Sequence, residues 1–82
     1  SLNEERRTEL KKIMGGLAEK SKVSIRNIRR EANDNLKKDL KDKKIGEDEF
    51  KKSEKKIQNL TDVQISELET RLKEKEKEIM TV

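Results

Sequence analysis

The chain contains no cysteine, no histidine and no proline, and its single aromatic residue is Phe50. Without cysteine there are no disulfides and no thiolate metal sites, a usage that fits a reducing cytosol. Without histidine there is no imidazole base, no catalytic triad and no imidazole metal cluster. Without tyrosine or tryptophan, the stacking platforms that usually hold single-stranded bases are missing. Apolar residues are scarce too: 28% of the 82 residues are hydrophobic against 49% charged, too few to enclose an ordinary globular core. No apolar run approaches the ~20 residues of a membrane span, and no signal-peptide pattern opens the sequence. The expectation is a soluble, cytoplasmic protein that is elongated or depends on partners, with no catalytic residue, no cofactor and no metal site.

What is present is charge of both signs on a helical period. The 22 Lys and Arg against 18 Asp and Glu leave a net charge of +4, too mild to argue for nucleic acid by itself, so the arrangement of the charges matters more. Such a composition would suit disorder, but the apolar residues recur at helical spacing and favour a long helix or coiled coil. Asn3 before Glu4 and Glu5 reads as a helix start, with a capping side chain and early acids that complement the dipole. From there an apolar stripe runs through Leu10, Met14, Leu17, Ser21, Ile25, Ile28, Ala32 and Leu36, widened by Ile13, Ala18 and Leu40. Its steps average about 3.7 residues, closer to an 11-residue repeat than to the 3.5 of a left-handed zipper, which predicts nearly straight helices. Gly15 and Gly16 interrupt the stripe, each costing about 1 kcal/mol relative to Ala, so a bend or fraying is expected there.

The spacing breaks over Lys41 to Gly46, and Gly46-Glu47-Asp48-Glu49 reads as a second start, with Ile45 and Phe50 placed to staple it. The second helix carries Phe50, Ser53, Ile57, Leu60, Gln64, Leu68, Leu72 and Ile79, with Val63, Ile65 and Met80 beside them. The sequence therefore predicts an all-α fold, a long antiparallel hairpin with helices at about 4–41 and 47–81, each on the order of 55 Å long. Nothing marks a second domain. The stripes are wider than the seam of a two-stranded coiled coil, so something else must cover them. Either a third helix or a second copy of the hairpin would do so, and self-association into a homo-oligomer is expected of this chain alone.

The most informative cluster lies in SIRNIRREANDNLKK. At about 100° per residue, Arg26, Arg29, Arg30, Asn33 and Lys37 fall on one strip, and Ile25, Ile28, Ala32 and Leu36 on a neighbouring face. The strip could stay in solvent while that face packs. A row of arginine forks at fixed spacing suits bidentate contact with the phosphates of a folded RNA, read by shape rather than by stacked bases. Spacing alone favours a plainer reading, a solvated helix face pairing with Glu31 and Asp34.

The run Arg26-Asn27-Ile28-Arg29-Arg30-Glu31-Ala32-Asn33-Asp34 closely resembles the arginine-rich signature of bacterial ribosome recycling factors. Leu2-Asn3-Glu4-Glu5-Arg6-Arg7 is similar to the segment by which that family re-enters its helical domain. Gly46-Glu47-Asp48-Glu49 and Lys73-Glu74-Lys75-Glu76-Lys77-Glu78-Ile79-Met80 look like its helix turn and its C-terminal end. The resemblance covers the whole chain, with these four motifs in order and at compatible spacing. Where family members usually carry ordinary helix formers, this sequence has Gly15-Gly16. The resemblance implies a three-helix bundle with a small β domain inserted after the first helix, so this sequence corresponds to the last two helices, without the first helix or the β domain. It implies a non-enzymatic factor that binds large-subunit ribosomal RNA on the post-termination ribosome and, with elongation factor G and GTP, helps split the subunits. It points to Arg29 as the first RNA contact, Arg26 and Arg30 next, and Asn33 and Lys37 as flanking contacts.

Other readings are weaker. Glu47, Asp48 and Glu49, or Glu74, Glu76 and Glu78, supply carboxylates in number, but they read as helix-start and solvated charge with nothing to desolvate them. No glycine stands in a phosphate loop, and Met14 and Met80 read as packing residues. The competing function is a structural coiled-coil module that recruits a partner helix through its open stripe.

Overall fold

The computed structural model describes residues 3–81; Leu2, which opens the first motif, and Val82 lie outside the described residues. Two helices account for nearly all of it: α1, Glu4–Lys41, of 38 residues, and α2, Glu47–Met80, of 34. The all-α hairpin expected from the apolar spacing is the fold observed. It measures 61 × 15 × 10 Å, and its radius of gyration of 18.6 Å is far above the ~12 Å of a compact chain of this length.

Local chemistry sets the ends of the helices. Asn3 is the N-cap of α1, its Oδ1 accepting from the Arg6 amide at 2.8 Å, and Glu4 and Glu5 fill the first turn. The helix runs unbroken through Gly15 and Gly16, continuous backbone bonding on both sides outweighing two poor helix formers. At its C-terminus the Lys44 amide donates to the Asp39 carbonyl at 2.9 Å and the Lys43 amide to that of Leu40 at 3.1 Å. This is the double bond of a Schellman motif, and it puts Lys43 in the left-handed region at φ 60°. Gly46 caps α2 without a side chain, three acids follow in the first turn, and Ile45 and Phe50 on either side are both half-buried.

Packing between the helices is thin. Ala18 and Thr61 are the buried residues, and among the described residues no side chain is fully enclosed. The Thr61 hydroxyl satisfies itself by donating to the Ile57 carbonyl at 2.8 Å. Ala18 belongs to the expected stripe as one of its widening residues, whereas Thr61 stands outside the apolar positions expected on the second helix. Leu17 is 58% exposed, Ile28 67% and Leu60 55%, while Ala18 and Thr61 take the seam. The cause is geometric. A stripe wide enough for two neighbours has its centre between them, so a single neighbour packs on one flank, where small side chains allow close approach.

The flank left over forms an apolar groove along one side of the hairpin, in two successive stretches. Met14, Leu17, Ser21, Leu68 and Leu72 line the stretch near the open end. Ile25, Ile28, Ala32, Ile57, Leu60 and Gln64 line the stretch in the middle. The opposite side, here called the back, is polar. It is marked by Lys22, whose Nζ lies 3.2 Å from a Glu69 carboxylate oxygen on α2 and 3.3 Å from one of Glu19 on its own helix.

Candidate nucleic-acid interface

The five candidate contacts all stand on the middle of α1, where the helix is continuous and its partner fixes its orientation. Each of the five lies three or four residues from another member, which keeps all of them within a strip about 100° wide, so the row is a direct product of the helical repeat. Their depth differs. Arg30 and Lys37 are exposed, whereas Arg26, Arg29 and Asn33 are half-buried against the seam. The strip is therefore not free in solvent along its length. Among its inner members the long stems of Arg26 and Arg29 suit an apolar border, where cationic side chains cover the stem and keep the charged head in water.

Arg29 is the most particular of them. It lies close to the seam line and also borders the groove, with Ile28, Ala32 and Leu60 as neighbours in the lining. Arg26 and Arg30 stand further toward the back. The Arg30 guanidinium donates to Asn27 Oδ1 at 2.9 Å, which holds the fork in one orientation. The Asn33 Oδ1 is enclosed and has no donor. Such an acceptor costs about 1–3 kcal/mol relative to a satisfied one.

The plainer reading of the row required pairing with Glu31 and Asp34. Among the described residues the ion pairs are Arg6–Glu9, Lys22–Glu19, Lys22–Glu69 and Lys75–Glu78. None involves Arg26, Arg29, Arg30 or Lys37, so no carboxylate among the described residues is in ion-pair contact with the row. A phosphate would meet guanidinium groups with no carboxylate in ion-pair contact, Arg30 alone being engaged by a neutral acceptor, Asn27 Oδ1.

Lys22 is the residue that reading the sequence missed. It ties the two helices on the back side, one turn before Arg26, and its ammonium is held charged above the ordinary lysine range, first by the hydrogen bond to Glu69 and then by that to Glu19. Its spacing from Glu19 was visible, but its partner on α2 becomes a neighbour only once the hairpin closes. Among the described residues no three acidic, His or Cys side chains gather to hold a metal ion, and no helix is long and apolar enough to cross a membrane.

Comparison of the sequence with known proteins places the chain in a family. The Ribosome recycling factor profile matches residues 1–80. A ribosome-recycling factor of Cupriavidus taiwanensis is 51% identical over 82 residues, all of this chain and 44% of its own length. Those of Alcanivorax borkumensis and Neisseria gonorrhoeae are 54% and 52% identical over 81 residues, 99% of this chain and again 44% of theirs. The chain belongs to the ribosome recycling factor family, a family of translation factors that takes its name from ribosome recycling. It spans less than half the length of these relatives.

Proposed function

We propose that this chain is the RNA-facing part of a ribosome recycling factor's helical domain, the first helix and an inserted β domain belonging to the rest of the protein. The whole protein binds large-subunit ribosomal RNA on the post-termination ribosome in the cytoplasm and, with elongation factor G and GTP, promotes separation of the subunits. It does so by binding and levering, without a catalytic residue. The observation that carries this reading is the arginine row of α1, three guanidinium groups with no carboxylate against them. Arg29 makes the leading contact, Arg26 and Arg30 follow, and Asn33 and Lys37 flank them.

The decisive variants are at Arg29. A charge-assisted hydrogen bond contributes about 1.5–3 kcal/mol, so Arg29→Ala should weaken binding to 50S subunits by about 10- to 100-fold. Because the stem of Arg29 borders the groove, Arg29→Met is the better separation of charge from packing. It should lose the same affinity with an unchanged helical circular dichroism spectrum. Full 50S affinity in both variants would refute the assignment.

A second reading follows from the groove: this hairpin, presented by itself, pairs with a second copy. With a two-fold axis crossing the groove near its middle, the open end of one copy lies over the turn end of the other. Lys75, which lines the open-end stretch, then comes level with Asp39, which is half-buried at the turn end. That complementarity repeats twice by symmetry. Sedimentation or light scattering should find a dimer that Leu60→Lys disperses at least 10-fold in association constant. A monomer persisting at high concentration, with full helicity, would overturn it.

A further inference from the structure

The positive charge of the back side does not end with α1. The Lys22–Glu69 bridge at 3.2 Å fixes which line of each helix faces the back. On α1 the side chains of Arg26, Asn33 and Lys37 follow that line toward the turn, and Lys41 stands one turn beyond Lys37. On α2, Lys51 precedes Glu69 by five helical turns, about 18 residues, and so stands on the same line, with Lys55 one turn further along. The helices are antiparallel, so counting outward from the bridge brings Lys51 and Lys55 level with Leu36 to Leu40. They thus stand across the seam from Lys37 and Lys41.

All four of these lysines are exposed. Among the described residues none is in an ion pair. The acid between them is Glu54, close to the seam, with Asp48 and Asp62 at the two ends of the α2 lysines and Asp34 toward the outer edge of α1. We infer that the turn end of the back side is a second phosphate-contact surface, on which Lys51 and Lys55 of α2 join Lys37 and Lys41 of α1 to continue the arginine row toward the turn. This inference rests on the RNA reading above and extends it to the second helix.

The kind of partner follows from what accompanies the charge. The exposed large apolar residues are Ile13, Leu17, Val23, Ile28, Leu60, Val63 and Met80, and none stands among these lysines. A protein partner would look for an apolar or aromatic anchor at the centre of its contact, and a single strand would look for a stacking ring. Lysines alone, as mobile point charges along two rods, match the backbone of a folded RNA. The row from Arg26 to Lys41 covers about 22 Å of helix, enough for several successive phosphates of one strand.

The test measures binding of the 82-residue chain to 50S subunits and to protein-free large-subunit ribosomal RNA, by anisotropy, between 50 and 200 mM KCl. The Lys51→Ala/Lys55→Ala variant should bind both targets about 10-fold more weakly near 100 mM. Its slope of log affinity against log salt should be shallower by about two, one for each lost phosphate contact. The Lys51→Arg/Lys55→Arg variant should restore both. Unchanged affinity and slope, while Arg29→Met still weakens binding, would overturn this surface and leave the RNA reading standing. If Arg29→Met has no effect either, both fall together. A loss seen with 50S subunits but absent with protein-free RNA would assign the lysines to a ribosomal protein and overturn the phosphate reading.

Discussion

The two sides of the hairpin are made by the same two helices and solve opposite problems. On the groove side the side chains that overhang the seam are Leu17, Ile28 and Leu60, all more than half exposed. On the back they are Lys22, Arg26 and Asn33, with Glu69 reaching across from α2. The groove leaves apolar surface in water. The back is held by the Lys22–Glu69 bridge and by long cationic stems that can cover the seam, with the Asn33 Oδ1 left as an enclosed acceptor without a donor. One side is apolar and open, the other charged and bridged.

The substitution that should blur this difference most is Ala18→Leu. Among the described residues Ala18 is the buried hydrophobic one, 5% exposed, and it shares its surroundings with Leu68 and Leu72 of α2. Added methylenes at a tight contact cost about 1–3 kcal/mol, and here they would wedge the helices apart from both sides at once. The hairpin has so little core that its thermal midpoint should fall by several degrees, and the Lys22–Glu69 bridge should be lost with it. An unchanged midpoint would mean that the seam is looser at Ala18 than its burial implies.

A smaller effect of opposite sign is expected at Gly15 and Gly16. A Cβ built on either meets nothing within 4 Å, so Ala at both adds helix propensity without a clash, about 1 kcal/mol at each position. Neither residue lines the groove. The double variant should therefore melt higher while its self-association and its 50S affinity stay where they were. A change in either binding property would show that the glycine pair serves the surface and not only the helix.

The contrast between the sides also explains what could be read from the sequence. Asn3, the acids after Gly46 and the loss of spacing over Lys41 to Gly46 are local signals, so the helices and their turn were legible. The arginine row was legible because three- and four-residue spacing maps directly onto a face. The seam was not. Leu17 and Ala18 are adjacent on one broad stripe, as are Leu60 and Thr61, and only the number of neighbours decides which of each pair is covered. The depth of Arg26 and Arg29 depends on that same choice, which is why a strip expected in solvent is half-buried along its inner edge. Lys22 needed a partner from the far end of the chain, and no spacing within α1 could supply it.

The finest adjustment to the comparison is a titration of that lysine. The Lys22 side chain is 14% exposed, and its ammonium contacts Glu69 at 3.2 Å and Glu19 at 3.3 Å. Both bonds favour the charged form, and its pKa in the folded hairpin is raised above the ordinary 10.5. A group whose folded pKa exceeds its unfolded one stabilises fully while it is protonated in both states. That contribution is lost as pH climbs from 10.5 through the raised value. Comparison with Lys22→Met, which keeps an apolar stem over the seam but cannot bridge, isolates the charge. The melting midpoint of the native chain should exceed that of the variant by a constant margin from pH 7 to about pH 10. The margin should then shrink above pH 10.5 and narrow with added salt at any pH. A margin that persists undiminished at pH 11.5 and in 1 M salt would belong to packing of the stem. The back side would then be held together by the same apolar contacts as the groove, and the division between the two sides would be one of shape alone.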